Sequence, residues 1–232
     1  MIFRQLFHAE SGTYTYLLGC PQKNEALLID PVVDNTEQYL QLLRELNLRL
    51  VVALDTHVHA DHITALGALR DATGCRSMMG EPARAACISQ SFHDGEKIYF
   101  GELSLKAIYT PGHTDDSYCF LLDVGQENWL FTGDTLLIRG TGRTDFQNGN
   151  AHQQYSSLFD KVLKFRDSTR VYPAHDYKGW TVSTIGEEKA HNPRLQVENE
   201  AAYVTLMSNL KLANPKWMDV AVPANLQCGQ KP

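Results

Sequence analysis

The sequence predicts an α/β (α+β) chain in which sheets pack together with helices outside them. Strand-like runs crowd the first thirty residues, and strand-like and helix-like runs then alternate toward the C-terminal end. A third observation concerns the junctions: four apolar runs end directly in short loops that carry histidine or aspartate. In sheet-based proteins the strand ends are where sites are assembled.

Taken in order, Thr13 to Leu18 is rich in β-branched and aromatic residues, and Ala26-Leu27-Leu28-Ile29 is an apolar run stopped by Asp30-Pro31. A helix follows, because Tyr39, Leu40, Leu42, Leu43 and Leu46 form an apolar stripe after Asp34-Asn35-Thr36, polar residues suited to capping its first turn. Leu50 to Leu54 leads into Asp55-Thr56-His57-Val58-His59-Ala60-Asp61-His62, and Leu105 to Tyr109 leads into Thr110-Pro111-Gly112-His113-Thr114. Trp129-Leu130-Phe131 leads into Thr132-Gly133-Asp134, and Arg170-Val171-Tyr172 into Pro173-Ala174-His175-Asp176. Between the last two, Tyr155, Leu158, Phe159, Val162 and Leu163 recur at helical spacing as core-facing residues. Thr184 with Glu187 predicts a capping box for a helix stopped by Asn192-Pro193, and Tyr203, Val204, Met207 and Leu210 predict a last amphipathic helix.

The chain has 232 residues, 43% of them apolar, ample for a buried core. With no internal repeat, low-complexity segment or flexible linker, a single domain over residues 1–232 is expected. The net charge of −6 comes without a basic run, which argues against nucleic acid as a partner. No stretch approaches the ~20 apolar residues that span a bilayer, and Met1 to Glu10 lacks the features of a signal peptide, so a cytoplasmic protein without membrane association is expected. The five cysteines are widely spaced without a CxxC pair, and buried reduced thiols are the expectation for each.

In His57-x-His59-x-Asp61-His62, three imidazoles and a carboxylate fall within six residues right after a buried strand. Such ligands suit zinc, iron or manganese, and the lack of neighbouring cysteine points to a catalytic site with open positions. His113 and Asp134 gain weight from that first motif, whereas His175 is the weaker ligand candidate. His8, His93, His152 and His191 have no partner in the sequence pattern and are expected to have no catalytic role.

The order HxHxDH, PGHT, TGD, PAHD resembles the metallo-β-lactamase superfamily, which implies a four-layer αββα sandwich with metals at one edge of its sheets. Within it, Thr56 to Thr64 (THVHADHIT), Arg139 to Gln147 (RGTGRTDFQ), Tyr172 to Tyr177 (YPAHDY), Asn192-Pro193-Arg194 and Val222-Pro223-Ala224-Asn225 resemble the persulfide dioxygenases. The resemblance implies one Fe(2+) per subunit held by His57, His113 and Asp134, a set that leaves positions open for substrate and O2. It implies oxidation of glutathione persulfide with O2 and water to sulfite and glutathione. His59, Asp61, His62 and His175 become residues that orient ligands or water, or that hold a second metal as in related hydrolases.

Glutathione carries two carboxylates, and Arg143, Tyr177 and Arg194 are the candidate contacts, with Arg143 equally placed to brace its loop through Asp145. Phe146 is read as an aromatic packed under that loop. Two departures stand out: Thr141 occupies a place where the family often has cysteine, and Thr114-Asp115-Asp116-Ser117 is more acidic than expected of relatives. The alternative is a glyoxalase II-like binuclear thioester hydrolase acting on S-lactoylglutathione, against which stand the GRTDFQ loop and the short tail after Pro193. A homodimer is expected only from how often soluble oligomers are twofold.

Overall fold

The computed structural model describes residues 1–125, 127–212 and 217–230, in two compact units. The first contains Met1–His93, Lys97–Ser104 and, from the C-terminal end, residues 217–230; the second contains Asp94–Glu96 and the chain from Leu105 to residue 212.

In the first unit a sheet is built from β1 (Ile2–His8), β2 (Thr13–Cys20), β3 (Glu25–Ile29), β4 (Arg49–Leu54), β5 (Arg76–Gly80) and β6 (Gln90–Phe92), ordered as they occur in the chain. β1 to β3 pair antiparallel and β3 to β6 parallel, and a parallel neighbour needs a crossover. α1 (Thr36–Glu45) and α2 (Leu66–Thr73) are the crossovers from β3 to β4 and from β4 to β5. β2 is buried along its whole length, which is why its sequence reads as apolar and β-branched rather than alternating. Leu17, Leu28, Tyr39, Leu43, Ala53, Leu66 and Leu69 lie in the core that results. Each fully buried leucine contributes about 1.5–3 kcal/mol relative to an exposed one.

In the second unit, β8 (Leu103–Tyr109), β9 (Tyr118–Val124), β10 (Glu127–Gly133), β11 (Arg170–Pro173) and β12 (Ser183–Thr184) follow β7 (Lys97–Phe100) in the chain and are ordered β12-β11-β10-β9-β8. β10 and β11 are parallel, joined through α3 (Ala151–Ser156), which continues through a π-type turn over Ser157–Lys161 and a 3-10 turn over Val162–Lys164. Leu158 and Val162 are buried with Cys119, Leu130, Val171, Ile185, Tyr203 and Met207, as their helical spacing predicts. α4 (Ile185–His191) starts at Thr184, whose Oγ1 accepts the Glu187 N–H at 3.1 Å, and ends at Asn192. α5 (Glu200–Ser208) is capped by Asn199 and buries Tyr203 and Met207.

Three expectations are corrected. Asn35 occupies the N-cap of α1, but no side-chain cap bond forms, because residues 33–35 already turn as a 3-10 segment. α5 is not the last helix: α6 (Met218–Asn225) follows, and its internal Pro223, a poor helix former, hides it in the sequence. The five cysteines are not all thiols: Cys87 and Cys228, 141 residues apart, form a disulfide with Cα atoms 5.8 Å apart, while Cys20, Cys75 and Cys119 are buried thiols as expected. So large a separation leaves no local signal. Among the described residues no helix is long and apolar enough to cross a membrane.

Candidate metal centre

In the first unit β4 ends at Leu54 and the chain enters the histidine loop, in which His57, His59 and His62 are all buried. Their rings stand in a row, with centroids 4.2 Å apart for His57 and His59 and 4.4 Å for His59 and His62. Beneath them sits Asp30, just past the end of β3, buried and in the left-handed region at φ 50°. An aspartate tolerates that conformation better than most residues. Its Oδ1 accepts the Thr56 N–H at 2.7 Å and a bond from His59 Nε2 at 3.0 Å. Its Oδ2 accepts the Thr56 hydroxyl at 3.1 Å. With its proton given to Asp30, Thr56 Oγ1 is an acceptor for His57 Nδ1–H at 2.9 Å, so the His57 lone pair lies on Nε2.

Burial alone would keep the His59 imidazole neutral, but the charge and hydrogen bond of Asp30, with Asp55 and Asp61 behind it, raise its pKa to about 9. Asp30, Asp55 and His59, all buried, bring ligand-type atoms within 4.8 Å of one another. Asp61 accepts from Thr13 Oγ1 at 3.2 Å and pairs with His62 Nδ1 at 3.0 Å. In the sequence Asp30 reads only as a strand stop before Pro31. The signal that marks it is the one that marks the other loops, a carboxylate directly after an apolar run.

In the second unit His113 follows β8, Asp134 follows β10 and His175 follows β11, and these three come together. His113 Nδ1 donates to the Arg143 carbonyl at 2.7 Å, and since a carbonyl can only accept, the His113 lone pair lies on Nε2. That nitrogen is 3.5 Å from Asp134 Oδ2, while Asp134 Oδ1 accepts from His175 Nδ1 at 2.7 Å. This bond from His175 steadies the Asp134 carboxylate. Gly142 is required here: a Cβ on it would lie 2.6 Å from His113 Nδ1 and 2.5 Å from the Asp134 carbonyl. The same glycine is held from below, its carbonyl accepting from Gln154 Nε2 at 3.1 Å and Gln154 Oε1 accepting from Tyr203 at 2.8 Å. Burial pushes the Tyr203 phenol up to about 12, so it remains a donor.

The proposed substrate contacts all lie in this unit. Arg143 forks onto Asp145, with Nε–Oδ1 2.5 Å and Nη2–Oδ2 2.6 Å, and holds that carboxyl below its ordinary pKa. The bracing role is the one the geometry displays. The Phe146 ring lies 4.7 Å beneath the Arg143 guanidinium and edge-on to His113 at 6.3 Å. Arg194 donates to the Thr141 carbonyl and, at 3.1 Å, to Thr141 Oγ1, and burial lowers its pKa. Tyr177 is 75% exposed and stacks on His175 with rings 6° from parallel. The acidic turn is tied locally: Asp115 Oδ2 accepts from Asn148 at 3.1 Å, and its carbonyl accepts the Tyr109 hydroxyl at 2.7 Å.

Sequence reasoning missed Glu188, whose fully buried carboxylate braces this loop. It accepts the Arg139 N–H at 2.8 Å, the Asn192 amide at 2.9 Å and bonds from Ser183 and the Arg139 guanidinium. Asn192 also donates to the Gly140 carbonyl at 2.9 Å, which makes Asn192 a brace of the same loop. In each unit the donors are imidazole nitrogens and carboxylate oxygens, with the lone pair on Nε2 in His57 and in His113, and donors of these types suit a divalent first-row metal ion.

A family model described as "Metallo-beta-lactamase superfamily" matches residues 9–175. "Persulfide dioxygenase ETHE1, mitochondrial" of Homo sapiens is 45% identical, the match covering 99% of this chain and 89% of that protein; its Mus musculus counterpart is 44% identical with the same coverage. A crystal structure of ETHE1 from Myxococcus xanthus superimposes with a TM-score of 0.95 at 50% identity, covering 99% of this chain and 100% of that one. The class of protein is thus a metallo-β-lactamase-fold metalloprotein, as the motif order implied. Within that superfamily, the chain belongs to the persulfide dioxygenase family.

Proposed function

We propose that the chain is an iron-dependent persulfide dioxygenase that converts glutathione persulfide, O2 and water to glutathione and sulfite. The observation that supports this most is the histidine loop together with the PGH, TGD and PAH loops, held in a chain 45% identical over nearly its whole length to a named persulfide dioxygenase. The proposed ligands of one Fe(2+) per subunit are His57, His113 and Asp134. Ferrous iron, when bound, supplies the redox chemistry with O2.

The remaining roles belong to the chain's own side chains. Thr56 and the Arg143 carbonyl fix Nε2 of His57 and of His113 as the coordinating nitrogens, and His175 steadies Asp134. His59, Asp61 and His62 are proposed to order that loop and its water rather than to hold a second metal, a role that the bonding of His59 to Asp30 supports. Arg143, Tyr177 and Arg194 are proposed to receive the carboxylates of glutathione, for which guanidinium forks suit by charge and shape. The chain is proposed to act as a single domain over residues 1–232, as a cytoplasmic homodimer.

Oxygen uptake by ferrous-loaded protein on adding glutathione persulfide, with S-lactoylglutathione hydrolysis assayed on the same sample, tests the reading. Uptake with equimolar sulfite and no hydrolysis is expected. Hydrolysis without uptake would replace it with the two-metal thioesterase.

A further inference from the structure

The C-terminal helix ends on a side chain that binds the histidine loop by every polar atom it has. Asn225 is fully buried; its Oδ1 accepts the Thr64 N–H at 2.9 Å, and its Nδ2 donates to the carbonyls of His59 and His62, each at 2.9 Å. Two carbonyls on one side and an N–H on the other fix the amide's orientation. The bonds span the half of the loop that carries His59, Asp61 and His62. Three residues on, the Cys228 carbonyl accepts the Gly67 N–H at 2.9 Å, and the Cys228 sulfur is joined to Cys87. Gly229, at φ 76°, lies so close to Thr64 that a Cβ there would come within 2.0 Å of its carbonyl oxygen. The histidine loop is thus held by a segment about 160 residues away in the chain, itself fastened by a covalent bond.

We infer that Asn225 is a positioning residue for the metal-binding loop, and that the Cys87–Cys228 disulfide latches its segment there, so that the loop's grip on metal depends on the thiol state of that pair. The inference rests on the proposed metal centre. A loop whose backbone is unpinned holds its imidazoles less firmly, the proposed ligand His57 among them, and loss of bonds that support a metal's ligands typically weakens metal binding by about 10- to 100-fold. Opening the latch needs two electrons and two protons: a water-soluble phosphine supplies the electrons, takes oxygen from water to become the phosphine oxide, and leaves Cys87 and Cys228 as thiols.

The experiment measures transfer of iron to a chromophoric chelator from ferrous-loaded wild type, Asn225→Asp and Cys87→Ser, each with and without phosphine, alongside thermal melting. Asp is isosteric with Asn but presents only acceptors to the two carbonyls. Asn225→Asp is expected to release iron about 10- to 100-fold faster, and Cys87→Ser and phosphine-treated wild type are expected to release it faster than oxidised wild type. Phosphine should add nothing to Cys87→Ser. Should Asn225→Asp fail to fold, Cys87→Ser and the reduced wild type carry the test. Release rates equal to wild type in the folded variants would overturn the inference, and an effect of Asn225→Asp without one of reduction would overturn the latch. A wild type that takes up no iron would refute the proposed centre itself, a distinguishable failure.

Discussion

Arg194 illustrates what a motif conveys and what it omits. Its place after Asn192-Pro193 suggested a substrate contact, yet in the structure its guanidinium already donates to the carbonyl and the hydroxyl of Thr141. The two roles are separable, because a fork of several N–H donors can brace a loop with some and meet a carboxylate with others. Replacing Arg194 by alanine is expected to raise the KM for glutathione persulfide about tenfold, the effect of losing one charge-assisted hydrogen bond of about 1.5 kcal/mol. Iron content should be unchanged. Steady-state kinetics beside metal analysis decides it, since an unaltered KM would leave Arg194 as a loop brace alone. His57, His113 and Asp134 stand out in the sequence because each lies in a short loop just after an apolar run. Asp30 obeys the same pattern but reads as punctuation beside Pro31. Glu188 does not stand out in the sequence, and Asn225 does so only as the end of the Val222-Pro223-Ala224-Asn225 motif, since nothing local separates a buried bracing carboxylate or amide from the many polar residues on helix surfaces.

The strands and helices that position these loops were predicted where burial makes the pattern continuous. β2, β3 and β4 carry unbroken apolar or β-branched runs because parallel and central strands are covered on both faces, and the sequence around Leu158 and Val162 keeps helical spacing even across a π-type turn. Caps were less uniform. Thr184 accepts the N–H of Glu187 as its spacing predicts, whereas Asn35 makes no side-chain cap bond. α4 should therefore respond to its cap: Thr184→Ala is expected to lower stability by about 1 kcal/mol, read as a shift in urea midpoint without a change in slope. A neutral substitution would mean that burial of Ile185 and Glu188 holds the helix start unaided. α6 escaped because Pro223 interrupts a short segment, although that segment carries the residues that secure the histidine loop.

Over the whole chain, the family assignment and the fold were legible from four loop motifs in order, and the match over residues 9–175 follows the same stretch of sequence. The disulfide was not, since reduced thiols are the default for widely spaced cysteines and no pattern pairs residues 141 apart. Metal identity and count are likewise beyond a list of donors, because imidazole and carboxylate serve zinc, iron and manganese alike. A single iron held by His57, His113 and Asp134 is tested by metal analysis of protein expressed with iron, for wild type and Asp134→Ala. One iron per chain in the wild type, and iron lost together with oxygen uptake in Asp134→Ala, is the predicted result; two metal ions per wild-type chain, or full iron occupancy in the variant, would contradict it.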